Sequence, residues 1–149
     1  MEKLSEHFSW EEMTSTSHKD LLVLNQHEAE AFKDNLKQTV TALEEIRALV
    51  GSMTVSSGFR GLSLNKRVGG SATSSHSKGL AADIIPNKMK VVDAFHKLLV
   101  NKDKIPNVKK IILEQFGGKE WLHIQGKIDL KEKLEVYSTK DGKSYTPVK

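Results

Sequence analysis

The chain has 149 residues, 38% of them hydrophobic and 28% charged, which suits one core and is too short for two ordinary domains. Its longest apolar runs, such as Ile111-Ile112-Leu113, fall far short of the roughly 20 residues needed to cross a bilayer. The absence of cysteine excludes a disulfide framework, a thiolate metal site and a cysteine nucleophile, so any metal must rest on His, Asp or Glu.

Twenty-three Lys and Arg against nineteen Asp and Glu leave a net charge of +4, which suits an anionic polymer, either nucleic acid or a bacterial envelope. The opening Met1-Glu2-Lys3-Leu4-Ser5-Glu6-His7-Phe8 has no basic segment leading into an apolar stretch and predicts no signal peptide. Ser9-Trp10-Glu11-Glu12 has capping-box spacing and predicts a short first helix, followed by a loop at Thr14-Ser15-Thr16-Ser17. From about Glu28 to Val50, apolar residues recur at Phe32, Leu36, Val40, Leu43, Ile46 and Val50, predicting one long amphipathic helix with Gly51 as its C-cap. Met53-Thr54-Val55-Ser56-Ser57 alternates and is β-branched, a strand ending at Gly58.

The Gly- and Ser-rich stretch from Gly58 to Gly79 reads as a long irregular loop, of a kind that is either functional or disordered. Leu80 to Ile85 is a predicted buried strand stopped by Pro86, and Lys88 to about Asn101 a helix with Met89, Val92, Phe95 and Leu99 inward. Val108 to Phe116 and Trp121 to Gln125 are two further strands joined through Gly117-Gly118. Leu134 to Tyr137 and Ser144 to Thr146 flank Asp141-Gly142 as a hairpin. No internal repeat or linker interrupts this pattern, so residues 1–149 are expected to form one α+β domain.

His76 and Asp83 lie seven positions apart, too far in either an extended or a helical chain to grip one ion easily. A turn at Gly79 would fold the histidine back over the start of the following strand, where the small Ala81 and Ala82 allow close approach. Asp83, flanked by Ala82, Ile84 and Ile85, sits in a strand that wants burial and therefore needs a cation or several donors. Strand alternation sends Leu122 and Ile124 to the core and Trp121 and His123 to the other face. Two histidines and a carboxylate suffice for a catalytic zinc with one position open to water. Glu120 is the nearest carboxylate to act as general base, although its parity on an ideal strand points it away from His123; it is placed at the turn out of Gly117-Gly118, with Glu114 in reserve. Spacing alone leaves His76 and His123 open to the plainer reading of surface or satisfied core residues, and His7, His18, His27 and His96 are read that way. Arg60 is open to several readings: a substrate or oxyanion clamp, a solvated loop charge, or a structural salt bridge. Gly69-Gly70 lacks the Lys-Ser/Thr pair of a phosphate loop and is read as a turn.

The ordered set Ser57-Gly58-Phe59-Arg60, Asn65, Val68-Gly69-Gly70, Ser74-x-His76-x-x-Gly79-x-Ala81-x-Asp83 and Trp121-x-His123 resembles the zinc D-Ala-D-Ala metallopeptidases. These include D-alanyl-D-alanine carboxypeptidases, the dipeptidases of vancomycin resistance and the L-alanyl-D-glutamate endolysins of bacteriophages. The opening Leu4-Ser5-Glu6-His7-Phe8-Ser9-Trp10-Glu11-Glu12 resembles the small phage-type members, so the likeness runs to about Gln125. It implies the α+β fold shared with the hedgehog signalling domain, a small antiparallel sheet with helices on one side. It also implies His76, Asp83 and His123 as zinc ligands, Glu120 as the base three positions before the last ligand, Arg60 on substrate and oxyanion, and Ser74 beside substrate.

The implied activity is a zinc-dependent peptidoglycan peptidase, an endolysin cutting between L-Ala and D-Glu, made in the host cytoplasm and delivered to the wall as a monomer. A virion-associated hydrolase, a D-Ala-D-Ala carboxypeptidase, and a catalytically silent wall-binding or virion structural protein that keeps the metal site are the alternatives. Nucleic-acid binding ranks last, since only the net charge favours it.

Overall fold

A computed structural model describes residues 2–71 and 73–149. The first helix, α1 (Trp10–Met13), opens with the expected capping box: the Glu12 amide donates to Ser9 Oγ, and the Ser9 amide donates to the Glu12 carboxylate. The long helix predicted from Glu28 is two helices. Leu22–Ala29 forms α2, a 3-10 turn covers Glu30–Phe32, and α3 runs from Lys33 to Val50. At the break Phe32 leaves the α region (φ −116°, ψ 19°), and its ring rests on Phe59 with centroids 5.7 Å apart. Helix α3 buries Leu36, Val40, Leu43, Ile46 and Val50 and ends at Gly51 in a positive-φ conformation that disfavours any side chain.

Strand β1 (Met53–Ser57) follows. The stretch expected to be irregular contains a short helix α4 (Leu62–Arg67) and a 3-10 turn at Ser75–Lys78. Leu64 and Asn65 are the buried side of α4, and a two-residue anchor is too short to show as periodicity in a sequence. Strand β2 covers Ala81–Pro86 and includes the proline expected to stop it. Pro86 stands at the strand end opposite Met53, past the last residue that pairs with β4, a position where a missing amide is tolerated. Helix α5 is Val91–Leu99, shorter than predicted, and its inward face is Val91, Ala94, Phe95 and Leu98. Lys90 is extended at the N-cap, so Met89 precedes the helix; Met89, Val92 and Leu99 pack at the margin of the core.

Strands β3 (Val108–Phe116), β4 (Lys119–Gly126), β5 (Glu135–Thr139) and β6 (Thr146–Pro147) complete a sheet in the order β1-β2-β4-β3-β5-β6. All neighbours are antiparallel except β3 and β5, which run parallel. The predicted terminal hairpin exists, with Asp141 Oδ1 accepting from the Lys143 and Ser144 amides and Gly142 at φ +71°. The class is α+β. One face of the sheet presents Ala82, Ile84, Ile111, Leu113, Leu122 and Ile124 to α3 and α5, and these side chains form the core. Burial of that face on the helices is the main stabilising contribution, at roughly 25 cal/mol per Å² of apolar surface. Because side chains alternate along each strand, the same pairing sets a second row on the opposite face: Asp83, His123, Ile112 and Tyr137 stand side by side on β2, β4, β3 and β5.

Candidate metal centre

The turn predicted at Gly79 is what delivers His76. Ser74 Oγ accepts the His76 amide at 3.2 Å and starts the 3-10 turn, and Gly79 ends it in the left-handed region at φ +73°. Helix α3 holds the turn from beneath. Thr39 Oγ1 donates to the Gly79 carbonyl at 2.6 Å, and Asn35 Nδ2 donates to the Lys78 carbonyl at 2.9 Å. His76 is thereby buried to 2% exposure, with Nδ1 2.8 Å from the Gly58 carbonyl. A carbonyl can only accept, so Nδ1 carries the proton and Nε2 is left as a free lone pair facing Asp83.

Gly58 is buried as well, and a Cβ there would lie 2.3 Å from the Met13 carbonyl oxygen. Gly58→Ala is therefore expected to destabilise the fold by about 1–3 kcal/mol or more, read as a lower denaturant midpoint. It should also disturb His76, because the displaced backbone includes the carbonyl that orients its ring.

Asp83 and His123 are directly paired across β2 and β4, with Asp83 Oδ1 3.0 Å from His123 Nδ1 and 3.4 Å from His76 Nε2. The His123 Nε2 atom lies 3.0 Å from Gln125 Oε1, an acceptor that leaves Nδ1 as the free donor atom. The two imidazoles meet edge to face at 5.1 Å. Ligand atoms of the three residues lie within 4.8 Å of one another. A tetrahedral ion with bonds of about 2.0–2.1 Å needs donor atoms roughly 3.3 Å apart, and each imidazole already has its other nitrogen anchored, so the donor set fits zinc.

Burial would raise the Asp83 carboxyl, but the hydrogen bonds and charges of His123 and His76 outweigh it and hold the group well below the usual carboxylate range. Burial would likewise lower the His123 imidazolium, yet the Asp83 carboxylate outweighs it and the net direction is up.

The two candidate bases are separated by parity. Glu120 pairs with Gln115, accepts from Gln115 Nε2 at 2.6 Å, and is exposed on the opposite face of β4 from His123. The turn at Gly117-Gly118 does not re-aim it, because β4 already begins at Lys119 in regular register with β3. Its placement in the site is therefore corrected. Glu114 pairs with Trp121 on the histidine face and accepts from Trp121 Nε1 at 2.8 Å, while Phe116 packs edge-on against that indole. Burial, and then the charge of Asp83, raises the Glu114 carboxyl above its ordinary value. A shift in that direction favours a carboxylate that must take up a proton during the reaction.

Arg60 stands beside this group, with its Nη2 3.5 Å from Ser74 Oγ and its Nε buried without a hydrogen-bond partner. Burial lowers its guanidinium and the charges of Asp83 and Glu114 oppose that. Asn65 clasps the intervening loop through the Ser71 carbonyl at 2.7 Å, and Gly70 packs against its side chain so closely that a Cβ would be 2.1 Å from Asn65 Oδ1.

His123, Glu114 and Ser74 line a cleft of about 440 Å³ that continues to Lys110, Tyr137 and Tyr145. Those last three were not among the residues expected at the site. Lys110 has the parity of Glu114 on the same strand, which was the signal available for it, but the parallel pairing that brings β5 alongside leaves no local mark. A buried Asn25 was also missed; it ties the Thr14 and Phe59 carbonyls and the Gly61 amide together behind Arg60.

No curated protein matches the chain. The profile of the family described as Peptidase M15 matches residues 6–108, which take in His76, Asp83, Arg60 and Ser74. That span is more than half of the chain and runs from before the capped first helix to the start of β3, so the protein belongs to the peptidase M15 family, whose members are in general zinc-dependent.

Proposed function

We propose that the protein is a zinc-dependent peptidoglycan peptidase, a phage or prophage endolysin that hydrolyses the stem peptide between L-Ala and D-Glu. The observation that carries the reading is the convergence of His76, Asp83 and His123 at the edge of an open cleft that His123 and a half-buried carboxylate, Glu114, line. His76 would hold the ion through Nε2, His123 through Nδ1 and Asp83 through its carboxylate. Zinc, when bound, polarises a scissile carbonyl and lowers the pKa of water.

The remaining work falls to the chain's own groups. Glu114 takes the proton from the attacking water and returns it to the leaving amine, held in orientation meanwhile by the Trp121 indole. Arg60, poised next to Ser74, supplies positive charge where the carbonyl oxygen becomes an oxyanion, and Ser74 offers its hydroxyl to the bound peptide. No side chain need form a covalent bond to substrate. An internal cut is favoured over removal of terminal D-Ala because only an internal cut frees the stems and loosens the mesh. Synthesis in the host cytoplasm and delivery to the wall complete the reading, with action from within the virion as its variant.

Digestion of purified peptidoglycan tests it. New amino groups without new reducing sugar ends, and fragments with D-Glu at the N-terminus, are the expected products. Free D-Ala as sole product would make the protein a carboxypeptidase, and wall binding without any release would make it a silent binding protein.

A further inference from the structure

The cleft has two chemically different ends. At one stand Glu114 and His123, the member of the His-Asp-His group that lines the cleft. At the other, Lys110 on β3 extends its ammonium over the Tyr137 ring, 5.7 Å from the centroid, while Tyr145 lines the cleft nearer Glu114. Lys33, Arg67 and Lys109 each have a carboxylate partner among the described residues, and Lys110 has none. Its cross-strand neighbour Glu135 accepts instead from the Tyr137 hydroxyl at 2.8 Å. Lys110 is thus a half-buried cation on a cleft wall, its ammonium over an aromatic ring.

The register fixes the separation of the ends. Tyr137 is level with Ile112, which is level with His123, so two strand spacings of about 4.8 Å put Tyr137 roughly 10 Å from His123. An extended peptide covers that distance in about three residues.

We propose that Lys110, set over Tyr137, is a subsite for a carboxylate carried by the substrate two to three residues from the bond that is cut. The inference rests on the peptidase reading and adds to it a requirement on the substrate. A stem peptide cut after its first residue carries such a group in its terminal carboxylate, at the fourth residue. An ammonium in a partly desolvated cleft gains a charge-assisted hydrogen bond from that group and none of comparable strength from an amide.

The test compares binding of a four-residue stem peptide with a free terminal carboxylate against the same peptide as its terminal carboxamide. Calorimetry is run on zinc-loaded protein carrying Glu114→Gln, so that nothing is cut. The acid is expected to bind about tenfold or more tighter than the amide, the scale of one hydrogen bond to a charged group. Adding Lys110→Met should erase that preference by weakening the acid alone, and Lys110→Arg should retain it. Equal binding of acid and amide, or a preference that survives Lys110→Met, overturns the subsite. If the unsubstituted protein still digests wall in that case, the peptidase reading stands without it. If neither peptide binds and wall is not digested, both fall together.

Discussion

Glu114→Gln is expected to lower turnover of wall peptide by about 10²-fold or more, the usual scale for losing a general base, while zinc content and folding stay as they were. The substitution keeps the acceptor for the Trp121 indole and the volume of the side chain, and removes only the ability to take a proton. Glu120→Gln should leave turnover within about twofold, because that carboxylate lies on the other face of β4 and is engaged by Gln115. The pH profile gives a second check. Burial and the Asp83 charge raise the Glu114 carboxyl, so the acidic limb of activity should sit above the ordinary carboxylate value of 4.5 and disappear with Glu114→Gln. A dead Glu120→Gln beside an active Glu114→Gln would reverse the assignment.

Loss of the metal is the second large effect expected. His76→Ala, Asp83→Ala and His123→Ala should each reduce bound zinc, measured by elemental analysis, to a small fraction of one per chain and abolish chelator-sensitive activity. Asp83 has the widest consequence, because its Oδ1 is the atom shared by both histidines. In the metal-free protein the same atom links stability to pH. The Asp83 carboxyl is depressed in the fold, so its contribution is present above the unfolded value of 3.8 and is lost as pH falls through the folded one. The His123 imidazolium is raised, so its contribution is fully present below 6.5 and is lost as pH rises through the folded value.

The pair therefore stabilises the metal-free fold most between about 3.8 and 6.5, and Asp83→Ala should flatten the denaturant midpoint in that window. Zinc must displace the His123 proton, so apparent affinity should climb as pH rises beyond 6.5. An affinity independent of pH from 6 to 8 would count against His123 as a ligand.

Much of the chain was legible one residue at a time. The capping box at Ser9 and Glu12, the glycine after α3, the Asp-Gly turn and the alternation along β1, β3 and β4 are local signals, written in the dihedral preferences and spacing of neighbouring residues. The Gly79 turn belongs with them, since only a left-handed residue folds His76 back onto Asp83 within seven positions. The parity of Leu122, His123 and Ile124 was equally readable, because burying two β-face neighbours leaves the residue between them on the other side.

What the sequence could not decide was everything that depends on a partner distant in the chain. The break at Phe32 follows from a ring contact with Phe59, and the inward face of α5 follows from where Lys90 leaves the extended state. The choice between Glu114 and Glu120 illustrates the difference. Family spacing pointed to Glu120, whereas the antiparallel register of β3 on β4 sets Glu114, and not Glu120, on the face with His123. The Lys110 and Tyr137 end of the cleft lies further still from local reach, for it exists only because β5 crosses to the far edge of β3 and pairs in parallel. Residue types and spacing determine which chemistry is available; register and crossover, paid out over tens of residues of intervening chain, determine which of those groups share one face and can act on one bond.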